Sequence, residues 1–409
     1  MPEKKHGSFG SEYGILTRSV HTGNDIDAET GAIRRPIVMA NSYALPYDPT
    51  GLNWSSPDSQ IYTRNGGANQ KYLQEKLAAL EGSEDCVALA SGVAALSGIL
   101  FTFLKSGDHV VCSQVMYIAV YRLLTQYLPE KYGIEATLVD TSDLEAVKAA
   151  IRPNTRLIHI ETPSNPTIGI SDIRSIADIA HNAGALLSVD NTFASPYNQR
   201  PTSLGADLTV ESLTKYINGH GDAMGGAVLG RKELIDRIRA EAMINIGGTI
   251  SPFNAWLIMR GAVTLPLRMQ QHNRNALEIA KFLKELPEVR LVSYPGLKEH
   301  PGHEIAKKQM DGFSGVMAFS LNTDPDGHNR FVSRLKVITS AVSLGHDESL
   351  ISFFGPGDER RELYPDEFGQ GFFRFSVGLE DSGDIKRDII QALEKSFAAK
   401  RYASGGFDK

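Results

Sequence analysis

Six short apolar runs constrain the fold of this chain more than any other feature: CVALASG, DHVVCS, IEATLVD, RLIHIETP, ALLSVDNT and ADLTVES. Several are apolar at nearly every position rather than at alternate ones, the mark of strands buried on both faces of a mainly parallel sheet. Helical spacing appears between them: Leu73, Leu77 and Leu80 before the first run, Leu144, Val147 and Ile151 after the third, Ile173, Ile176 and Ile179 before the fifth. Parallel neighbours need crossover connections, and helices supply them, so the class is α/β.

With 409 residues the chain is long enough for two cores. From about Pro252 the rhythm changes to a long helical region, Asn254 to Leu286, followed by the strands VRLVSYPG, GVMAFSLN and FFRFSVGLE. We therefore expect a large domain over 63–255 and a smaller C-terminal α+β domain over 256–409. Residues 1–62, with DIDAETGAIRRP and NWSSPD, show little periodicity and read as an extended arm. The stretch PIVMANSYALP is too apolar to be left in water, so the arm is expected to embrace a neighbouring subunit.

Charge and cysteine usage narrow the partners. The formal net charge is -6 without a Lys/Arg block, which argues against nucleic acid and for small-molecule chemistry. Neither the start of the chain, MPEKKHGSFGSEYG, nor any apolar run has the character of a signal peptide or membrane span. Cys86 and Cys112 sit inside apolar runs and read as buried structural thiols, so a cytoplasmic setting is expected.

Several motifs fail. GHGDAMGG would need glycine where Met224 stands to be a dinucleotide loop, HEIAK lacks the second histidine of a zinc helix, and GFSGV is not a nucleophile elbow. No metal site is expected. What survives is the set of strand ends, where ligands bind in an open α/β sheet. They read ASGVAA, SQVMY, ETPSNPT, VDNT and VESLTK. Together they hold a lysine for a Schiff base, a carboxylate for a pyridinium nitrogen, and hydroxyls with helix-start amides for a phosphate, which is what pyridoxal 5'-phosphate (PLP) requires.

On VDNTFASP, SLTKYINGHGD, YPGLKEHPGH and RFSVGLED, the chain resembles the Cys/Met-metabolism family of PLP-dependent enzymes, which includes cystathionine γ-synthase, cystathionine γ-lyase and methionine γ-lyase. The resemblance runs from Thr17 to Asp381 and implies a fold-type I PLP-dependent transferase with a mainly parallel seven-stranded sheet. It implies Lys215 as the Schiff-base lysine and proton carrier, Asp190 as partner of the pyridinium nitrogen, and Tyr117 as the residue that stacks on the ring and protonates the leaving group. Phosphate would be held by Ser91, Gly92 and Val93 at a helix start and by Ser212 and Thr214, with Thr192 supporting Asp190. Tyr62 and Arg64 in IYTRNGG match residues that reach the phosphate of a neighbouring subunit, and a homotetramer built from dimers is implied. Arg374 would clamp the substrate α-carboxylate, assisted by Asn165 and Ser343.

The chain departs from the family pattern at YIAV (Tyr117 to Val120), at GGANQ (Gly66 to Gln70) and in ESLISFFGPGDERRELYPDEFGQG. Cystathionine-handling members carry acidic residues where this chain has Ile61 and Val342, so cystathionine's distal ammonium would lack a partner here. VSLGHDESL resembles the methionine γ-lyase version, which makes γ-elimination releasing 2-oxobutanoate and ammonia the leading expectation. The alternatives are γ-replacement on an O-acylhomoserine and elimination from a polar substrate such as canavanine. Asp358, Glu359, Glu362, Asp366 and Glu367, with His346 and Asp347, form an acidic stretch that leaves room for a cationic γ-group, although a solvated turn explains it more simply.

Overall fold

In the computed structural model, residues 9–48, 50–52 and 61–403 are described, with side chains to residue 396; all of NWSSPD therefore lies outside the described residues. The six apolar runs form β1 (Asp85–Leu89), β2 (His109–Ser113), β3 (Glu135–Val139), β4 (Thr155–Glu161), β5 (Leu186–Asp190) and β6 (Leu208–Ser212). With β7 (Gly226–Gly230) they make a seven-stranded sheet ordered β1-β7-β6-β5-β4-β2-β3. β7 is antiparallel to both its neighbours, whereas the pairs from β6 through β3 are parallel.

Both faces of this sheet are covered, which is why several of its strands are apolar at nearly every position. On β2, Val110 and Cys112 pack with Leu96, Ile99 and Leu100 of the helix Gly92–Phe103. The intervening Val111 packs with Ile173 and Ile176 of the helix Ile173–Asn182 on the other face. Cys86 and Cys112 are buried free thiols, and burial pushes both well above the usual range.

The seventh strand is not legible as a separate run. GAVLG is bounded by glycines within GHGDAMGGAVLGRKE, with only Ala227, Val228 and Leu229 apolar between them. Its first residue also explains its composition: a Cβ on Gly226 would lie 2.1 Å from the Ser91 carbonyl and 2.7 Å from the Gly92 amide. Only glycine lets β7 pass that close to the start of the helix Gly92–Phe103.

The expected long helical region is two helices, Pro252–Ala262 and Leu265–Lys284, because Pro266 can occupy only a first helical turn. Beyond them lie β8 (Val289–Ser293), β9 (Val316–Leu321), β10 (Thr339–Ser340), β11 (Leu350–Phe354) and β12 (Phe372–Ser376). They form a second sheet ordered β10-β11-β12-β9-β8. On β12, Phe373 and Phe375 join a core with Ile279 and Leu283 of the second of these helices and Ile385 and Ile389 of the helix Ser382–Ala403. Strand alternation turns Phe372 and Arg374 to the opposite face, where Phe372 packs with Leu213, Tyr216 and Leu344. That periodicity accounts for an arginine inside FFRFS: it faces the first sheet, not the phenylalanine core.

Residues 9–48 carry one helix, Ile15–His21, docked by Arg18, which donates to the Ala79 carbonyl. Otherwise this segment is irregular, and its apolar side chains lie open: Ile33 is 71% and Met39 64% exposed.

Candidate active site

A cavity of about 1100 Å³ opens between the carboxyl ends of β4, β5 and β6 and the second sheet, and it includes every sequence-predicted site residue except Tyr62 and Arg64. Lys215 follows β6 in a tight turn in which Lys215 N–H donates to the Ser212 carbonyl and Gly219 N–H to the Lys215 carbonyl. Buried Arg268 grips the same turn, donating to the carbonyls of Tyr216 at 2.6 Å and Ile217 at 3.2 Å. The lysine amine is thus carried on a rigid support, and its Nζ donates to Ser343 Oγ at 2.7 Å. Burial, then the charge of Arg374, lowers its pKa to about 8, so a fraction of the amine is neutral near neutrality.

Asp190 is the last residue of β5 and is buried; its Oδ1 accepts from Thr192 N–H at 3.0 Å, while Thr192 Oγ1 accepts from Ser212 N–H at 2.9 Å. Burial raises the Asp190 pKa, and the Thr192 bonds oppose it. Its register partner across β4–β5 is Glu161, a carboxylate that the sequence reading missed. Burial pushes Glu161 upward and the neighbouring Asp190 pushes it further. Glu161 is nonetheless well bonded: Oε2 accepts from Tyr117 N–H and Oε1 from Asn165 N–H, both at 2.7 Å. Tyr117 precedes the helix Ile118–Arg122 and is 40% exposed.

Arg374 donates from Nη1 to Asn165 Oδ1 at 3.0 Å and from Nη2 to the Ser343 carbonyl at 2.8 Å. Its Nε is buried with no partner among the described residues, and burial with the nearby Arg360 charge lowers its pKa to about 10. Ser343 therefore touches both cations, Lys215 through its hydroxyl and Arg374 through its carbonyl. It does so at a positive φ of 81°, a conformation costing a residue with a side chain about 1–2 kcal/mol. His346 Nε2 lies 3.1 Å from the same hydroxyl.

The helix Gly92–Phe103 points its start into the cavity. Ser91 caps it, its Oγ accepting from Ala94 N–H at 3.1 Å, and the amides of Gly92 and Val93 have no acceptor within the helix. A Cβ on Gly92 would sit 3.0 Å from Ser212 Oγ, so the glycine leaves a shallow cup between two hydroxyl-bearing residues. Thr214 Oγ1 is shared with Gly225, bonding both its carbonyl and its amide at 3.2 Å, and ties the lysine turn to the approach to β7.

The acidic stretch is not a free cluster. Asp358 is ion-paired to Arg360 at 2.9 Å, and Glu359 accepts from Arg122 Nε at 2.9 Å. Both line the cavity, whereas Glu362, Asp366 and Glu367 do not. Val342 lines it, 84% exposed, while Ile61 is buried away from it. Tyr62 and Arg64 lie outside the cavity with the Arg64 guanidinium 5.2 Å above the Tyr62 ring.

The residues fit PLP on the chemistry of the donors. A lysine amine with a depressed pKa, a buried carboxylate without a cationic partner among the described residues, and an open helix start at a glycine cup match its aldehyde, ring nitrogen and phosphate. The family model for Cys/Met metabolism PLP-dependent enzymes matches residues 16–394. A canavanine gamma-lyase of Pseudomonas canavaninivorans is 55% identical over 97% of this chain and 99% of that protein. An L-methionine gamma-lyase of Fusobacterium nucleatum subsp. polymorphum is 40% identical over 94% of this chain and 99% of its own. The crystal structure of metB from Corynebacterium glutamicum covers 94% of this chain and 98% of its own at 40% identity, with a TM-score of 0.86. The chain belongs to the Cys/Met-metabolism family of PLP-dependent enzymes.

Proposed function

We propose that this protein is a γ-lyase that takes an L-amino acid whose γ-carbon carries a guanidinooxy group, as in canavanine, and releases hydroxyguanidine, 2-oxobutanoate and ammonia with uptake of one water. The observation that carries this reading is the greater identity to a canavanine gamma-lyase than to a methionine gamma-lyase, each across nearly the whole chain. Methionine, which VSLGHDESL places first, is the second reading.

PLP, when bound, supplies an electron sink that makes protons on the substrate's α- and β-carbons removable. The chain's own residues do the rest. Lys215 carries the cofactor and then moves protons, a role suited to an amine held near a pKa of about 8. Asp190, supported by Thr192, holds the ring nitrogen, and Ser91, Gly92, Val93, Ser212 and Thr214 hold the phosphate. Arg374, already aligned by Asn165 and the Ser343 carbonyl, takes the α-carboxylate through two parallel N–H donors. Tyr117 donates its phenolic proton to the departing oxygen, so hydroxyguanidine leaves neutral rather than as an anion. Tyr62 and Arg64 act in a neighbouring subunit's site within a homotetramer of dimers, which fits their position outside this protomer's cavity.

Purified holoenzyme offered canavanine, methionine and O-acetylhomoserine tests the reading. Canavanine is expected to have a kcat/KM at least about tenfold above that of methionine, with hydroxyguanidine and 2-oxobutanoate formed in equal amounts. A preference for methionine would return the second reading. A γ-hydroxylated carbon product in place of the oxoacid would make the reaction a replacement by water.

A further inference from the structure

Among the described residues four carboxylates line the active-site cavity: Glu161, Asp190, Asp358 and Glu359. Three are committed. Glu161 has an amide donor on each oxygen, and Asp190 is held by Thr192 beside the lysine turn. Asp358 takes Arg360 on both oxygens, from Nε at 3.1 Å and Nη2 at 2.9 Å. Glu359 differs. Arg122 reaches it with Nε and Nη2, but both donors converge on Oε1, and Oε2 has no partner among the described residues.

The position of Glu359 is set independently of Arg122. The adjacent Arg360 donates from Nη1 to the Met116 carbonyl at 2.7 Å, which docks the loop beside Tyr117. Arg122 is 58% exposed and follows Tyr117 by five residues, about 7–8 Å along the helical path. A guanidinium on an exposed, flexible stem therefore rests on a cavity carboxylate whose backbone is fixed from the other side. One cation can replace the other there without leaving a charge unpaired.

We propose that Glu359 is the receptor for the substrate's distal guanidinium group, with Arg122 occupying it until substrate arrives and then swinging into solvent. This rests on the guanidinooxy reading above and names the residue that gives that substrate its preference. It also accounts for the departure of GPGDERRELY from the family pattern.

Two measurements on wild-type and Glu359→Gln holoenzyme test it. The first is the ratio of kcat/KM for canavanine to that for methionine. Loss of one charge-assisted contact is expected to lower this ratio at least about tenfold, through KM for canavanine. The second is competitive inhibition of methionine turnover by arginine, the carbon isostere of canavanine, whose γ-substituent cannot leave. Its Ki is expected to rise by a similar factor in the variant. An unchanged ratio together with an unchanged arginine Ki overturns the assignment. Failure of the wild-type enzyme to release hydroxyguanidine refutes the substrate reading alone, and a Glu359-dependent arginine Ki then still upholds the guanidinium receptor.

Discussion

Lys215 lies between two influences, a buried setting that favours its neutral amine and a hydroxyl, Ser343 Oγ, that accepts from it. The neutral form is the one that condenses with an aldehyde, and its population rises with pH until the folded pKa of about 8 is passed. Cofactor loading of the apoenzyme should therefore accelerate about tenfold from pH 6 to pH 7, and flatten above pH 8, if attack by the amine limits it. The growth of the yellow chromophore after mixing apoenzyme with PLP measures this directly, and a rate independent of pH across that window would contradict it. Lys215, Asp190 and Arg374 were legible as residues because each breaks its local pattern: a cation after an apolar run, a carboxylate at a strand end, an arginine among phenylalanines. Glu161 was not, since a glutamate at the end of IHIE looks like an ordinary strand exit until Asn165 and Tyr117, the latter 44 residues before it, are folded against it.

At the scale of elements, Glu161 joins the end of β4 to the start of the helix Ile118–Arg122 and to the loop that bears Asn165. It orients together Tyr117, the proposed proton donor, and Asn165, which holds the proposed carboxylate clamp Arg374. Each of its oxygens accepts an amide N–H, a pattern that the side chain of glutamine cannot reproduce because one of its two ends is itself a donor. Glu161→Gln should therefore lower kcat/KM about ten- to a hundredfold, the equivalent of about 1–3 kcal/mol for a buried donor left facing a donor. Steady-state kinetics beside a thermal melt check this; an unaltered kcat/KM would remove Glu161 from the positioning machinery. The elements themselves were legible where apolar runs were long. β7 and β11 were not: the first is hidden among glycines, and the second lies in LISFF within a segment whose family resemblance fails.

For the whole molecule, the exposed apolar side chains of the arm and the placement of Tyr62 and Arg64 outside the cavity belong together. A surface bearing Ile33 and Met39 is costly to leave in water, and the proposed phosphate cup of Ser91, Gly92, Val93 and Ser212 offers hydroxyls and amides but no cation of its own among these four residues. The proposed assembly answers both. If each site combines Lys215 of one subunit with Arg64 of another, two defective variants should complement. Lys215→Ala and Arg64→Ala subunits, each inactive or weak alone, are unfolded together and refolded as a mixture. Half of the dimers formed at random are mixed, and each mixed dimer holds one intact site, so about a quarter of wild-type activity should return. Recovery no greater than the sum of the two separate variants would mean that each site is built from a single chain.

By itself the sequence determined the α/β class, the order of the sheet-forming runs and the chemical types gathered at their ends, because strand burial and helical spacing are written locally in the periodicity of apolar residues. Only the tertiary structure decided which of those ends face one another. The bond from Lys215 to Ser343, the grip of Arg374 on Asn165, the amides on Glu161 and the ion pair between Arg122 and Glu359 join residues far apart along the chain. Such contacts depend on how two sheets pack against each other, and no local pattern of residues carries that geometry.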